Sequence, residues 1–259
     1  MMDLGLKGKK VLVVGASKNI GAATAKAFAG EGCKVAVIAR DGIKLKALVD
    51  SIGGKKKGHG YICADLLVEG APSDTAEEAV RAFGPFDIVV HNTGGALGLK
   101  DPLAPVEDWM KVWKFNVGIA IEMNVLLIPY MKKKKWGRII HISSMAAELG
   151  EPASDKGGAL PYCAAKAYLN SYIKGLGREL AKDGIIVSGI MPGVVLSKGK
   201  YWEKLQREDP KMVKQYLEHH SSIGRFGRPD EIAPFAVFLA SKQASYAAGS
   251  IVKVDGGII

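Results

Sequence analysis

The chain has 259 residues, 48% hydrophobic and 24% charged, enough to bury the core of one globular α/β domain and too apolar for a disordered one. Its formal charge is +10, yet the runs Lys55-Lys56-Lys57 and Lys132-Lys133-Lys134-Lys135 carry no interleaved aromatics, so they read as solvated and no nucleic-acid partner is expected. Cys33, Cys63 and Cys163 lie far apart and read as buried free thiols; with no apolar leader in MMDLGLKGKK and with NVLLIPYM too short for a bilayer, the expectation is a cytoplasmic protein without a membrane partner.

Apolar, β-branched runs alternate with longer amphipathic segments along the chain. Strands are predicted at 10–15, 34–40, 60–66, 87–92, 137–144, 185–192 and 250–256, and helices at 20–31, 42–52, 71–83, 105–131, 160–182 and 229–240. The strands are continuous apolar runs, as a parallel sheet covered on both faces requires. Residues 1–259 are therefore expected to form a single α/β domain, a doubly wound parallel sheet of about seven strands. Residues 194–228 break the rhythm and read as a lid or binding loop. Within them, Trp202 either lines a pocket, packs the lid or meets a second subunit, and Tyr201 and Tyr216 are further aromatics. His219 and His220 read as surface helix residues, since no carboxylate or cysteine is spaced to share a metal with them.

The first strand runs straight into a turn, VLVVGASKNIG, with glycines at Gly15 and Gly21. The helix that begins near Ile20 can turn its first N–H groups toward a pyrophosphate. Asn19 stands where a third glycine is usual, and Asn enters the left-handed region at tolerable cost. The second strand ends at Arg40, with Lys18 in the facing turn. Two cations there favour a 2′-phosphate, hence NADP(H), while Asp41 keeps NAD(H) open. Asp65, after the third strand, either approaches the adenine amino group or is a plain loop residue.

The fourth strand ends in HNTGG (91–95) and the fifth in Ile142-Ser143-Ser144, both at the carboxyl edge where such sheets place ligands. Asn116, in KFNVG, falls inside a helical stretch and needs a polar partner. In YCAAK, Tyr162 and Lys166 are four apart and share a helix face, so the ammonium is expected to lower the phenol's pKa.

Together and in this order, these segments resemble the short-chain dehydrogenase/reductases over essentially the whole chain, and in particular their 3-oxoacyl-[acyl-carrier-protein] reductase-like members. GASKNIG resembles the family's TGxxxGIG loop, HNTGG its NNAG segment and YCAAK its YxxxK signature; MPGVVLS (191–197) resembles PGxxxT. The resemblance implies a Rossmann-type fold and an NADP(H)-dependent oxidoreductase moving hydride between nicotinamide and a ketone or secondary alcohol. It implies Tyr162 as proton donor, Lys166 as the group that lowers its pKa and binds ribose, Ser144 as the holder of the substrate oxygen, and Asn116 as the holder of a water. The cofactor contacts it implies are Gly15, Ser17, Lys18, Asn19, Ile20, Gly21, Arg40, Asp65, Asn92, Gly94, Tyr162, Lys166, Pro192, Gly193, Val195 and Ser197. No metal is implied.

A homo-oligomer, tetramer or dimer, is also implied, with 105–131 and the helix from 160 pairing across one interface and the C-terminal strand across another. The remaining alternatives are an NAD-dependent alcohol dehydrogenase of the same family and a cofactor-binding protein without turnover. Asn19, His91, Thr93 and Ser197 depart from the family pattern. So does the 18-residue step from Ser144 to Tyr162, which makes 146–160 a predicted bulge at the substrate mouth. Between Ser143 and Ser144, the choice rests on the motif alone.

Overall fold

The computed structural model describes residues 3–150, 159–197 and 201–258. Strands β1 (Lys10–Val14), β2 (Lys34–Ala39), β3 (Gly60–Cys63), β4 (Ile88–His91), β5 (Gly137–Ile142), β6 (Ile185–Pro192) and β7 (Ile251–Val254) form one sheet in the order β3-β2-β1-β4-β5-β6-β7. All neighbours are parallel. Successive side chains leave a strand on opposite faces, so Val11 and Val13 enter one core while Leu12 and Val14 enter the other. Both faces need apolar residues, which is why KVLVV carries no polar alternation.

Helices α1 (Asn19–Gly30) and α2 (Gly42–Ser51) cover one face through Ala25, Phe28, Leu45 and Leu48. On the other, α3 (Ala71–Phe83) contributes Ala76 and Ala79. The predicted helix 105–131 runs on to residue 134 and is not regular. It comprises α4 (Val106–Trp113), a π-helical stretch Lys114–Gly118 and α5 (Ile119–Lys134). By length and composition, Val106–Lys134 could cross a membrane, but Met123, Leu127 and Met131 pack on the sheet, as in a core helix.

After β5 comes the short helix α6 (Ala146–Leu149), and residues 151–158 of the predicted bulge lie outside the described residues. Helix α7 (Leu160–Leu180) has Pro161 in its first turn, where the missing N–H costs nothing, and buries Leu169 and Ile173 against the sheet.

The excursion 194–228 holds two helices that its charged composition concealed, α8 (Tyr201–Glu208) and α9 (Pro210–His220). Asp209 caps α9 by accepting from Met212 N at 3.0 Å, and Pro210 follows at the first helical position. Trp202 lies 4.2 Å from the Tyr216 ring and 5.2 Å from that of Phe226, so it packs the excursion together and is absent from the cleft lining. His219 and His220 end α9 on the surface. Helix α10 (Pro229–Ala240) completes the first face through Ile232, Ala236 and Val237.

One expectation about the thiols fails. Cys33 and Cys163 are buried, but Cys63 is exposed, because it is the last residue of β3, the outermost strand of the sheet, and points away from the core.

Candidate active site

The strand order reverses between β1 and β4, so the loops leaving their carboxyl ends diverge and open a crevice. The cleft there has a volume of about 750 Å³ and runs from Lys18 and Arg40 at one end to Ser144, Tyr162 and Ser197 at the other. Of the catalytic and cofactor residues that the family resemblance implies, only Gly21 and Asn116 do not line it.

The turn after β1 shows why its glycines matter. Gly15 has φ +85°, and a Cβ on it would sit 2.9 Å from Thr93 N. On Gly21 a Cβ would fall 2.3 Å from Gly15 O, so this residue works as a spacer behind the turn rather than as a cleft contact. Asn19 adopts φ +52°, the left-handed conformation expected of it. No side chain caps α1 and no acid occupies its first turn, so the leading N–H groups face the cleft uncommitted. Asn92 ties the end of β4 to this turn by donating to Gly15 O at 2.8 Å.

At the same end, Arg40 pairs loosely with Asp65 at 3.7 Å, both side chains being largely exposed. Asp41 is already engaged. Its Oδ1 accepts from Lys44 N at 3.0 Å as the cap of α2, and its other oxygen pairs with the Lys44 ammonium. Lys44 thus becomes a third cation beside Lys18 and Arg40. The sequence could have given it away: it stands three residues after the capping aspartate, on the first turn of α2.

The other end is more enclosed. Lys166 is buried and donates from Nζ to Ile142 O at 2.8 Å. Desolvation pulls its pKa down to about 7. Tyr162 stands with its ring centroid 5.7 Å from that nitrogen and its hydroxyl hydrogen-bonded to Ser144. The phenol's pKa is raised, not lowered as the sequence led one to expect, because burial outweighs the Ser144 bond. Ser143 is turned away and donates to Asn170 Oδ1 at 2.6 Å, so of the two serines it is Ser144 that meets the tyrosine.

Asn116 sits in the π-helical stretch behind the site. Its amide donates to Gly95 O at 2.9 Å and Val112 O at 2.8 Å, while its Oδ1 accepts from Gly95 N at 3.0 Å. Between Asn116 and Lys166 runs Gly94, where a Cβ would lie 2.6 Å from Asn116 Oδ1 and 3.0 Å from Lys166 Nζ. At the far wall, the loop after β6 is held by a parallel bridge of Val195 to Gly227, and Ser197 Oγ donates to Val195 O at 3.3 Å. Sequence reasoning missed Leu97 and Phe115, apolar residues that line the same cleft. Among the described residues, no three His, Cys, Asp or Glu are grouped to hold a metal ion.

The family model described as enoyl-(acyl carrier protein) reductase matches residues 15–259. The chain belongs to the short-chain dehydrogenase/reductases. It is 31% identical to the 3-oxoacyl-[acyl-carrier-protein] reductase FabG of Aquifex aeolicus (strain VF5), over 99% of this chain and 100% of that protein. Among solved structures, the L-sorbose reductase of Gluconobacter frateurii, complexed with NADPH and L-sorbose, superposes with a TM-score of 0.89 at 31% identity, covering 99% of this chain and 98% of the other. A 7α-hydroxysteroid dehydrogenase complexed with NADH superposes with a TM-score of 0.85 at 30% identity, covering 100% and 98%. The protein is thus an oxidoreductase of this family.

A dinucleotide fits the site on its own geometry. The uncapped start of α1, the backbone of Gly15 and Gly94 in the cleft wall, and the cations at the far end make a cradle of suitable polarity and length.

Proposed function

We propose that this short-chain dehydrogenase/reductase is NADP(H)-dependent and interconverts a ketone and a secondary alcohol on a small molecule. The reading rests above all on the hydrogen-bonded Ser144 and Tyr162 with the buried Lys166 beside them, at one end of a cleft whose other end carries Lys18, Arg40 and Lys44. The bound dinucleotide supplies or accepts the hydride.

In the reductive direction, Tyr162 donates its hydroxyl proton to the carbonyl oxygen, and Ser144 holds that oxygen through its own hydroxyl. Lys166, as ammonium, favours the phenolate that Tyr162 leaves behind and binds the nicotinamide ribose. Asn116 fixes Gly95 and, through it, the Gly94 segment that runs between Asn116 and Lys166. Gly15, Ser17, Asn19 and Ile20 take the pyrophosphate, Asp65 the adenine, and Pro192, Gly193, Val195 and Ser197 the nicotinamide side.

Residues 1–259 act as one catalytic unit, with 194–228 as the cover of the substrate end. The substrate is a 3-oxoacyl thioester or a sugar or steroid ketone, classes represented by the named relatives. The protein works in the cytoplasm as a homo-oligomer. A groove of about 540 Å³ lined by Trp109, Met110, Trp113 and Tyr168 offers an apolar face for a second copy, which sedimentation at low concentration would detect.

NADP(H) is favoured over NAD(H) because Asp41, the residue that would read a free ribose hydroxyl, is committed to capping α2 and to Lys44. The test is a parallel titration with NADPH and NADH, followed by nicotinamide fluorescence. NADPH is expected to bind at least about tenfold more tightly, as one or two charge-assisted contacts provide, and Arg40→Ala should erase most of that margin. Preference for NADH would place Asp41 on the ribose, and binding of neither would remove the dinucleotide reading.

A further inference from the structure

Behind the catalytic residues lies a buried polar group that the reaction does not use. His91 ends β4 and His141 is the penultimate residue of β5, and the two are direct partners across the sheet. Both are buried, at 3% and 0% exposure, with their rings stacked 4.9 Å apart at 18°. His91 Nε2 meets Asn124 Oδ1 at 2.9 Å, and Asn124 in turn donates to the Tyr172 hydroxyl at 3.1 Å. Since Asn124 uses its oxygen here, His91 carries its proton on Nε2. His91 Nδ1 and both nitrogens of His141 have no partner among the described residues.

A proton added to this pair meets nothing that welcomes it. Across β4 and β5 the rings face each other. From α5 comes the neutral Asn124, from α7 the phenol of Tyr172 and the amine of Lys166, and from β6 the partner of His141 is Gly189. None of these is an anion, and Lys166 acts on His141 as a like charge. A charged imidazole at this place must find water or leave its seat.

That seat carries the site. His91 immediately precedes Asn92, which clamps the turn after β1, and the segment through Gly95, which Asn116 holds. His141 immediately precedes Ile142, whose carbonyl fixes Lys166, and then Ser143 and Ser144. We propose that His91 and His141 are positioning residues: stacked and neutral, they keep the ends of β4 and β5 in place beneath the catalytic group, and protonation of either one releases those ends and reversibly disables the cleft. Burial holds the His91 pKa at about 4 and that of His141 well below its ordinary value, so the release sets in only below the ordinary histidine range and centres near pH 4.

The experiment compares wild type with His91→Asn, His141→Asn and the double variant from pH 8 to about pH 3, by near-ultraviolet circular dichroism and by nicotinamide cofactor binding. Wild type should lose both signals reversibly on acidification while keeping its far-ultraviolet spectrum. The double variant, without the stacked rings, should bind cofactor more weakly than wild type at pH 8, and its remaining signal should persist to about one pH unit lower. Coincident acid transitions in wild type and double variant would overturn the proposal. The dichroism signal reports the event whichever dinucleotide binds, so a failure of the cofactor reading is separable. If the variants do not fold, imidazole NMR of the wild type decides: two histidines must stay neutral through pH 6 in the folded protein, and titration of all five near 6.5 would refute the idea.

Discussion

Replacing Lys166 with methionine should stabilise the free protein while abolishing its turnover. The side chain is 3% exposed, and its pKa falls from 10.5 to about 7, so between those values the unfolded chain binds more protons than the folded one. Stability carried by the neutral amine is therefore full above pH 10.5 and is lost as pH falls toward 7. Linkage puts the loss at about 4 kcal/mol at pH 7 and about 2 kcal/mol at pH 9. Methionine is close in length and carries no charge, but forfeits the hydrogen bond to Ile142 O, worth about 1 kcal/mol. The net gain at pH 7 is about 2 to 3 kcal/mol, or roughly 6 °C in Tm for a chain of this size. The assay is urea unfolding without cofactor at pH 7 and pH 9, for both proteins. The variant's advantage should shrink by about 2 kcal/mol over that interval. A variant less stable than wild type at pH 7, or an advantage that does not change with pH, would refute the view that Lys166 is held at a desolvation cost.

Tyr162→Phe should lower turnover by at least about 100-fold while changing the NADPH dissociation constant by less than about threefold, because in the proposed reaction the hydroxyl acts on the substrate; stopped-flow rates with equilibrium fluorescence separate the two. Asn19→Val should cost about 1 to 2 kcal/mol of stability, since a β-branched residue resists φ +52°, whereas Asn19→Gly should be near neutral; thermal melts of the pair check this.

The sheet was legible from the sequence because its central strands are buried on both faces, and a continuous apolar run such as VLVV or IVV has no other home in so small a protein. The left-handed Asn19 was legible for a similar reason, as few residues tolerate that turn. Helices α8 and α9 were not, because their charged surfaces hide the apolar stripe and their few aromatics pack on one another rather than on the sheet. Nor could a pattern of spacings reveal that Ser143 turns to Asn170, or that burial rather than Lys166 governs the Tyr162 pKa. Those facts depend on which neighbour lies nearer in space. The π-helical turn is likewise invisible to periodicity, which assumes that every turn holds the same number of residues.

That turn divides one long helix into two mechanical members. An extra residue per turn offsets the side-chain faces of the two halves by about 100°, so α4 packs against α7 while α5 packs against α3 and the sheet. The outer groove is built on α4, by Trp109, Met110 and Trp113, and the same short segment supplies the Val112 carbonyl that orients Asn116. One short helix therefore serves two faces at once, walling the outer groove and anchoring the asparagine that holds Gly95.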